Sequence, residues 1–302
     1  MLLRVVIAVL AIGALCVAYG VLIERRWFRV QRYRLDILPT DLPERLDVLH
    51  LSDLHFVAGD ARKTAFMASL PKADVTVVTG DLLGEPEAVE TVVAALEPTR
   101  GRLASWFVLG SNDYFKPEPV NYLRYFSRKK VRHRRGVRGR SADLVAQLER
   151  DGWEHLKNVR HTGAALDGTR IELVGMDDPH IHRHDMRVIP REAPERFGVA
   201  VVHSPDPAAE LAAMGYDLIV AGHTHGGQVR MPFIGALVSN CSLPPRMASG
   251  LFRLGRSYMH VSPGMGTSKY APFRFLCRPE ATLLELRRRP AEKVSREAEP
   301  VP

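Results

Sequence analysis

The sequence predicts an α/β protein, and three observations indicate this class. Between residues 45 and 286, short apolar runs alternate with segments whose apolar residues recur at helical spacing. The run Val75–Thr79 consists entirely of β-branched residues, which favour buried strands. Polar Asp, Asn and His residues follow the ends of several such runs. A chain of 302 residues has room for one large domain with appended segments.

The individual elements follow from the same patterns, taken in chain order. Strands are predicted at residues 46–51, 75–79, 106–109, 171–174, 199–202, 218–221 and 281–286, and helices at residues 61–70, 86–96, 142–150 and 206–214. Pro71 and Pro98 end the first two helices, because proline interrupts helical hydrogen bonding. Residues 230–262 are expected to form short strands and loops.

The amino terminus carries an apolar segment, from Val5 to Ile23, of 19 residues without a charge. A helix of this length crosses the hydrocarbon of a bilayer. A cleaved signal peptide is the alternative, but Ala18-Tyr19-Gly20 fits a cleavage site poorly, so we predict an uncleaved single-pass anchor in the cell membrane. Basic residues follow the segment, and the positive-inside bias then predicts a cytoplasmic domain. They are Arg25, Arg26, Arg29, Arg32 and Arg34.

The predicted organisation has four parts. Residues 1–23 form the anchor, residues 24–44 a basic connector, residues 45–286 the main domain, and residues 287–302 a charged, disordered tail. The three cysteines, Cys16, Cys241 and Cys277, form no Cys-x-x-Cys pair, so no disulfide framework or zinc finger is predicted. A Cys241–Cys277 bridge remains an alternative to two buried free thiols.

Seven polar residues stand directly after predicted strands, and six of them are Asp or His. They are Asp53, His55, Asp81, Asn112, His203, His223 and His225. Asp53 and His55 point to the same side of an extended segment, because strand side chains alternate. A carboxylate at a buried strand end, such as Asp81, is costly unless it is paired or bound to metal. Carboxylate oxygen and imidazole nitrogen are ligands of first-row transition metals, so the set predicts a metal centre.

These motifs, in this order, resemble the calcineurin-like metallophosphoesterase superfamily over about residues 45–286. Members carry Asp-x-His, Gly-Asp, Gly-Asn-His followed by Asp or Glu, a further His, and Gly-His-x-His. This chain has Asp53-Leu54-His55, Gly80-Asp81, Gly110-Ser111-Asn112-Asp113, His203 and Gly222-His223-Thr224-His225. Gly226-Gly227-Gln228, Arg274 and Pro279-Glu280 look closest to a membrane-associated bacterial branch, which includes enzymes that cleave phosphate or pyrophosphate linkages in lipids.

The resemblance implies a fold, a cofactor and a role for each matching residue. The fold is a four-layer α/β/β/α sandwich, the metallo-dependent phosphatase fold. Two divalent metal ions, Mn²⁺, Fe or Zn²⁺, are implied, with a water molecule between them that attacks phosphorus. The implied ligands are Asp53, His55 and His225 for the first ion, Asn112, His203 and His223 for the second, and Asp81 as the bridge.

One departure from the family pattern concerns the catalytic acid. The family has a histidine directly after the ligand Asn, whereas this chain has Asp113. Two hypotheses follow: Asp113 is an unusual acid with a raised pKa, or it only orients a ligand. Under the second hypothesis, the enzyme should prefer leaving groups that need little protonation, such as the phosphoryl group of a pyrophosphate. Separately, His180 in the segment Met176-Asp177-Asp178-Pro179-His180 is a candidate for the missing imidazole.

The segment 128–140 holds eight Lys or Arg in thirteen residues, and the whole chain has a formal charge of +8. A solvated loop and a nucleic-acid surface are the alternatives. The anchor favours contact with an anionic membrane surface, and no specific nucleic acid is expected.

The predicted function is metal-dependent hydrolysis of a phosphoester or phosphoanhydride, in a lipid-linked or nucleotide-type substrate at the membrane. The alternative is a membrane-tethered metal-binding or scaffold protein on the same fold without turnover.

Overall fold

The computed structural model describes residues 1–117, 119 and 136–290. In chain order its strands are β1 (Arg29–Leu38), β2 (Arg45–Leu51), β3 (Val75–Thr79), β4 (Ala104–Val108), β5 (Glu154–His155), β6 (Val159–Leu166), β7 (Thr169–Gly175), β8 (Gly198–Val201), β9 (Leu218–Ala221), β10 (Arg230–Met231), β11 (Gly235–Ala236), β12 (Gly250–Leu254), β13 (Ser257–Val261) and β14 (Glu280–Arg288). The α-helices are α1 (Leu2–Leu22), α2 (Ala61–Ala68), α3 (Val89–Leu96), α4 (Ser111–Tyr114), α5 (Ser141–Arg150) and α6 (Ala208–Ala213).

The strands form two six-stranded mixed sheets and one small hairpin. The first sheet has the order β1-β14-β2-β3-β4-β5, and the second has the order β12-β13-β9-β8-β7-β6. Strands β2 to β5 run parallel to one another, and so do β7, β8, β9 and β13. The carboxyl ends of parallel neighbours therefore meet at one edge of each sheet.

Alternating side chains place each sheet between two apolar layers. In β3, Val75 and Val77 pack into the core between the sheets, whereas Val78 packs against the helices α2, α3 and α5. In β9, Val220 faces the core between the sheets and Ile219 faces the opposite layer, which includes α6. The layers thus run helices, sheet, sheet, helix. The predicted α/β class and four-layer sandwich are confirmed.

The predicted elements are present in the structure, and most of their ends differ by one or two residues. Residues 24–44 differ most from the prediction, because this expected connector contains β1, which pairs in parallel with β14. Arg29, Arg32 and Arg34 are exposed on this edge strand, and these basic residues give the segment the composition of a linker. Strand β6 was not predicted, and β14 continues to Arg288, into the expected tail. Residues 291–302 of that tail lie outside the described residues.

Helix α1 coincides with the apolar segment at the amino terminus. The helical stretch Leu2–Arg26 is long enough to cross a membrane, has a mean hydropathy of 2.7 in its most apolar window, and is almost wholly exposed. All three cysteines are free thiols; Cys277 is buried and Cys241 is half-buried. The alternative of a Cys241–Cys277 bridge is therefore absent from the structure.

Candidate metal centre

The seven predicted ligands lie together at the carboxyl edge shared by the two sheets. Backbone hydrogen bonds join the loop after β2 to the loop after β3: the Asp53 amide donates to the Gly80 carbonyl at 2.9 Å, and the His55 amide to the Asp81 carbonyl at 3.0 Å. In the second sheet, the amide of Gly222, which follows β9, donates at 2.8 Å to the carbonyl of His203, which follows β8. These bonds fix the position of each loop relative to its neighbour.

Backbone strain is concentrated at the same positions. Five of the seven ligands have positive φ angles: Asp53 (47°), His55 (42°), Asp81 (51°), His223 (70°) and His225 (50°). Residues other than glycine rarely adopt this left-handed backbone conformation, and each instance costs roughly 1–3 kcal/mol. Strain of this kind persists where the surrounding structure fixes the side chain in a particular direction. Here that direction is toward a common centre.

Four of the side chains form a compact group. Asp53, His55, Asp81 and His225 each present one ligand atom, and these atoms lie within 4.8 Å of one another. The Nε2 atoms of His55 and His225 are 3.2 Å apart. His55 Nε2 lies 3.5 Å from Asp81 Oδ2, and His225 Nε2 lies 3.5 Å from Asp53 Oδ1. One cation would fit between them.

The remaining three predicted ligands, Asn112, His203 and His223, lie on the other side of Asp81. The Asn112 side-chain amide donates to Asp81 Oδ2 at 2.5 Å, and its backbone amide donates to Asp81 Oδ1 at 2.8 Å. His203 Nε2 lies 3.7 Å from Asp81 Oδ1 and 3.3 Å from His223 Nδ1. The Asp81 carboxylate therefore faces both groups, with one oxygen toward His55 and the other toward His203.

The donor chemistry of the site fits a divalent cation. Asp53 Oδ1 is buried and has no hydrogen-bond partner among the described residues. Burial lowers the pKa of His55 to about 4 and the pKa of His225 well below its usual value, so both imidazoles are neutral at pH 7. Neutral imidazole nitrogens and carboxylate oxygens with free lone pairs are the ligands that first-row divalent metals bind.

The two carboxylates differ in their electrostatics. Burial acts to raise the pKa of Asp81, but the imidazoles of His203 and His55 and the hydrogen bonds from Asn112 lower it well below its ordinary value. Burial raises the pKa of Asp53 to about 6. Burial would lower the pKa of His203, yet the carboxylates of Asp81, Asp178 and Asp53 raise it to about 9. Asp81 is therefore the ionised centre of the site.

Close packing behind the ligands depends on a glycine and a buried arginine. A Cβ atom on Gly222 would meet the Ser52 hydroxyl and would lie 2.6 Å from Asp53 Oδ2. The fully buried Arg274 guanidinium donates to the carbonyl oxygens of Pro263, Gly264 and Gly266, in the loop that packs against Asp53 and His55. Arg274 thus stabilises the loop 263–266, which packs against Asp53 and His55.

The two candidate acids lie in different settings. Both oxygens of Asp113 accept backbone hydrogen bonds, Oδ1 from Leu83 and Oδ2 from Gly110, each at 2.9 Å. Burial, with the nearby Asp81 charge, raises the pKa of Asp113 to about 7. The His180 ring lies 4.2 Å from the His223 ring, centroid to centroid. His180 is thus beside the ligands, whereas Asp113 joins the loops that carry Asp81 and Asn112.

The sequence prediction missed Asp178. This residue follows β7, is fully buried, and accepts a hydrogen bond from the His180 amide through Oδ1 at 2.7 Å. Its Oδ2 has no hydrogen-bond partner among the described residues. The signal was available, because Asp178 stands just after an apolar strand, as the seven predicted ligands do. In that segment the sequence singles out His180 as a candidate acid and assigns no role to Asp178.

Residues 128–135 of the predicted basic segment 128–140 lie outside the described residues. At its carboxyl end, the Arg140 guanidinium forms ion pairs with Glu90 and Asp143, both at 2.9 Å.

A two-sheet sandwich with buried Asp and His ligands at its shared strand edge defines a metal-binding α/β protein. The family comparison is more specific: the chain belongs to the calcineurin-like phosphoesterase family, whose model matches residues 46–227. It is therefore a metallophosphoesterase that hydrolyses phosphoester-type bonds, and the family together with the Asp and His cluster implies binding of divalent metal.

Relatives agree with this assignment. The chain is 26% identical to the metallophosphoesterase YkuE of Bacillus subtilis (strain 168), covering 79% of this chain and 76% of the relative. It is 25% identical to the UDP-2,3-diacylglucosamine pyrophosphatase LpxG of Chlamydia trachomatis serovar D, covering 83% and 88%. It is 29% identical to a transmembrane protein with a metallophosphoesterase domain from Bos taurus, covering 81% of this chain and 54% of that longer relative.

Proposed function

We propose that this protein hydrolyses a phosphoester or phosphoanhydride bond of a lipid-linked or nucleotide-type substrate at a membrane surface, with two divalent cations of Mn, Fe or Zn. The observation that carries the proposal is the position of Asp81 between the two groups, with Oδ2 3.5 Å from His55 Nε2 and Oδ1 3.7 Å from His203 Nε2. Two cations held on either side of that carboxylate would activate a water molecule and stabilise charge on the phosphoryl oxygens.

The chain's own residues would hold this arrangement in a fixed geometry. Asp53, His55 and His225 would bind the first cation, and Asn112, His203 and His223 would bind the second. His203 Nδ1 lies 2.6 Å from the carbonyl oxygen of Thr79 and donates to it, so a cation would bind at Nε2 and would displace the proton that the raised pKa of His203 keeps there at neutral pH. The Ser52 hydroxyl and the His223 amide donate to Asp53 Oδ2, which leaves Asp53 Oδ1 available.

His180 is our candidate for the acid that protonates the leaving group. Its contact with the His223 ring supports this role, because an imidazole beside the second group of ligands is within reach of a bound phosphoryl group. Asp113 would act as a positioning residue through its two backbone hydrogen bonds. Asp178 would add a carboxylate on the side of His203, because its negative charge raises the pKa of that imidazole.

The membrane location is part of the proposal. Helix α1 would cross the cell membrane once, with the domain on the cytoplasmic side, as the arginines after the helix indicate. The similarity to the pyrophosphatase LpxG, named for a diacylated sugar nucleotide, supports an amphiphilic substrate.

Metal analysis and a substrate panel test the proposal. Purified full-length chain in detergent should contain about two equivalents of transition metal and should turn over at least one of an aryl phosphate, an aryl phosphodiester and a pyrophosphate diester. Treatment with a chelator should abolish turnover, and added Mn²⁺ should restore it. Bound metal without turnover of any of the three compounds would favour the scaffold alternative, and a single equivalent of metal would contradict the two-cation centre.

A further inference from the structure

The β10–β11 hairpin next to the metal centre presents an unusually exposed apolar tip. Phe233 is fully exposed, Ile234 is 69% exposed, and the flanking Met231 and Leu237 are 43% and 44% exposed. Isolated apolar residues on a surface are common, but four within seven residues form a continuous apolar edge.

The segment 273–276 joins this hairpin to the end of helix α1. On one side, the Arg230 amide donates to the Phe275 carbonyl at 2.9 Å, and the Phe275 amide donates to the Gln228 carbonyl at 3.0 Å. On the other side, the Phe275 ring packs edge-on against Tyr19 of α1, with the centroids 6.2 Å apart. The hairpin and α1 therefore contact the same short segment from two directions.

The end of α1 is in close contact with this segment. A Cβ atom on Gly20 would overlap the Phe273 ring, so α1 and this segment are in close contact. The buried Glu24 carboxylate, just past the helix, accepts hydrogen bonds from the backbone amides of Leu276 at 2.8 Å and Cys277 at 2.5 Å. The orientation of the hairpin relative to the helix is thereby fixed.

The chain length limits how far the apolar tip lies from the segment that contacts α1. Phe233 is three residues beyond Arg230, which pairs with Phe275, and three residues span at most about 11 Å. Shortly after the end of α1, Trp27 is half exposed and stacks on the Arg278 guanidinium at 4.0 Å. Exposed Trp and basic side chains at the end of an apolar helix are typical of the interface between membrane and water.

We infer that the β10–β11 hairpin inserts Phe233 and Ile234 into the same bilayer surface that α1 enters, so that the metal centre opens beside the lipid headgroups. The inference rests on the membrane anchor of the proposed function. Continuity with α1 identifies the bilayer as the partner, because the hairpin and the helix that would enter the bilayer contact the same segment 273–276.

The hairpin also connects this surface to the chemistry. It begins directly after the His225–Gly227 turn, and the buried Cys277 thiol donates to the His225 carbonyl at 3.3 Å. A ligand of the first cation is thus part of the structure that meets the membrane. The substrate class that fits is a phosphorylated lipid whose phosphorus lies at headgroup depth, and such a lipid would not need to leave the bilayer.

Fluorescence quenching tests the insertion independently of catalysis. Full-length Phe233→Trp protein would be reconstituted into vesicles of phosphatidylcholine and phosphatidylglycerol, with or without brominated acyl chains. Met214→Trp is the matched control, because Met214 is exposed but follows α6, at the opposite edge of the sheets. Relative to unsubstituted protein, we expect bromine to reduce the added emission of Phe233→Trp about twofold and to leave Met214→Trp unchanged.

Equal quenching of the two variants, or none in either, would overturn the inference. In a second measurement, the double variant Phe233→Ser/Ile234→Ser should keep aryl-phosphate turnover in detergent and lose quenching of a reporter Trp at Leu237. If the double variant instead converts a dimer to a monomer, while Phe233→Trp remains unquenched, the hairpin is a contact between copies and the inference is wrong. Quenching in a protein without turnover on any substrate would support the hairpin contact and contradict the proposed function alone.

Discussion

Two groups of buried histidines lie on either side of Thr79, and they differ in almost everything except residue type. On one side, the Thr79 carbonyl accepts from His203 of the metal centre at 2.6 Å. On the other side, the Thr79 hydroxyl lies 2.9 Å from His50 Nε2, and His50 Nδ1 lies 2.7 Å from His260 Nδ1. The pair His50 and His260 is fully buried between the sheets.

The backbone and the neighbouring charges distinguish the two groups. His50 and His260 lie within the regular strands β2 and β13, and burial lowers the pKa of both, to about 3 for His260, so that neither is charged. In the metal centre, His55, His223 and His225 lie in strained loops, and His203 is surrounded by carboxylates. Burial alone therefore does not identify a functional histidine. A strained backbone and nearby carboxylates distinguish the histidines of the candidate metal centre.

The largest expected effect comes from removing the charge at the centre of the metal site. Asp81→Asn should lower kcat/KM by at least about 10³-fold, or about 4 kcal/mol of transition-state stabilisation, because both groups of ligands share that carboxylate. Metal content, measured by elemental analysis, should fall in parallel. The exposed Asp36→Asn variant is the control, and activity in Asp81→Asn close to that of the control would refute the bridging role.

The next effect concerns the leaving group. His180→Ala should reduce turnover of alkyl phosphates about 10²-fold, since their leaving oxygen needs a proton, and should reduce turnover of activated aryl phosphates much less. The comparison with Asp113→Asn separates the two candidate acids. A positioning role for Asp113 predicts equal losses on both substrates, so a selective loss on alkyl phosphates in Asp113→Asn would return the acid role to that residue.

A smaller effect is expected on the other side of Thr79. His50→Leu should destabilise the fold by about 1–3 kcal/mol, because His260 and the Thr79 hydroxyl lose a buried hydrogen-bond partner. Its kcat/KM should stay within about threefold of wild type. Denaturant unfolding and steady-state kinetics on the same preparation measure both quantities. A large loss of activity with unchanged stability would show that the His50 and His260 pair belongs to the functional site.

The smallest effect is a pH dependence of stability. A histidine that stays neutral in the folded state, with its pKa depressed below the unfolded value of about 6.5, contributes stability that is present above that value and lost as pH falls toward the folded pKa. His260 should therefore account for about 0.7 kcal/mol of the stability lost between pH 7 and pH 6. His260→Leu should lose correspondingly less over this interval in denaturant titrations. An identical loss in both proteins would contradict a neutral His260.

The contrast also shows what the sequence could reveal. Asp53, His203 and the other ligands stand after apolar runs, so strand topology alone predicted that they converge. The edge strand β1 escaped prediction because its exposed arginines resemble a linker. Asp178 also follows an apolar run, but its burial and its Oδ2, which has no partner in the described part of the chain, are features of the folded loop after β7. Interactions that depend on a specific packed neighbour, such as those of Glu24 and Arg274, leave no periodic pattern in a sequence.

The hydrogen bonds of Glu24 determine where the chain can be shortened for crystallisation. A soluble fragment that starts at Glu24 or earlier retains the acceptor for the amides of Leu276 and Cys277. A fragment that starts at Arg29, the first residue of the first strand, would leave both amides without it, at a cost of about 1–3 kcal/mol for each buried donor. The folded unit therefore begins at Glu24, five residues before β1, within the segment that the sequence predicts to be a connector.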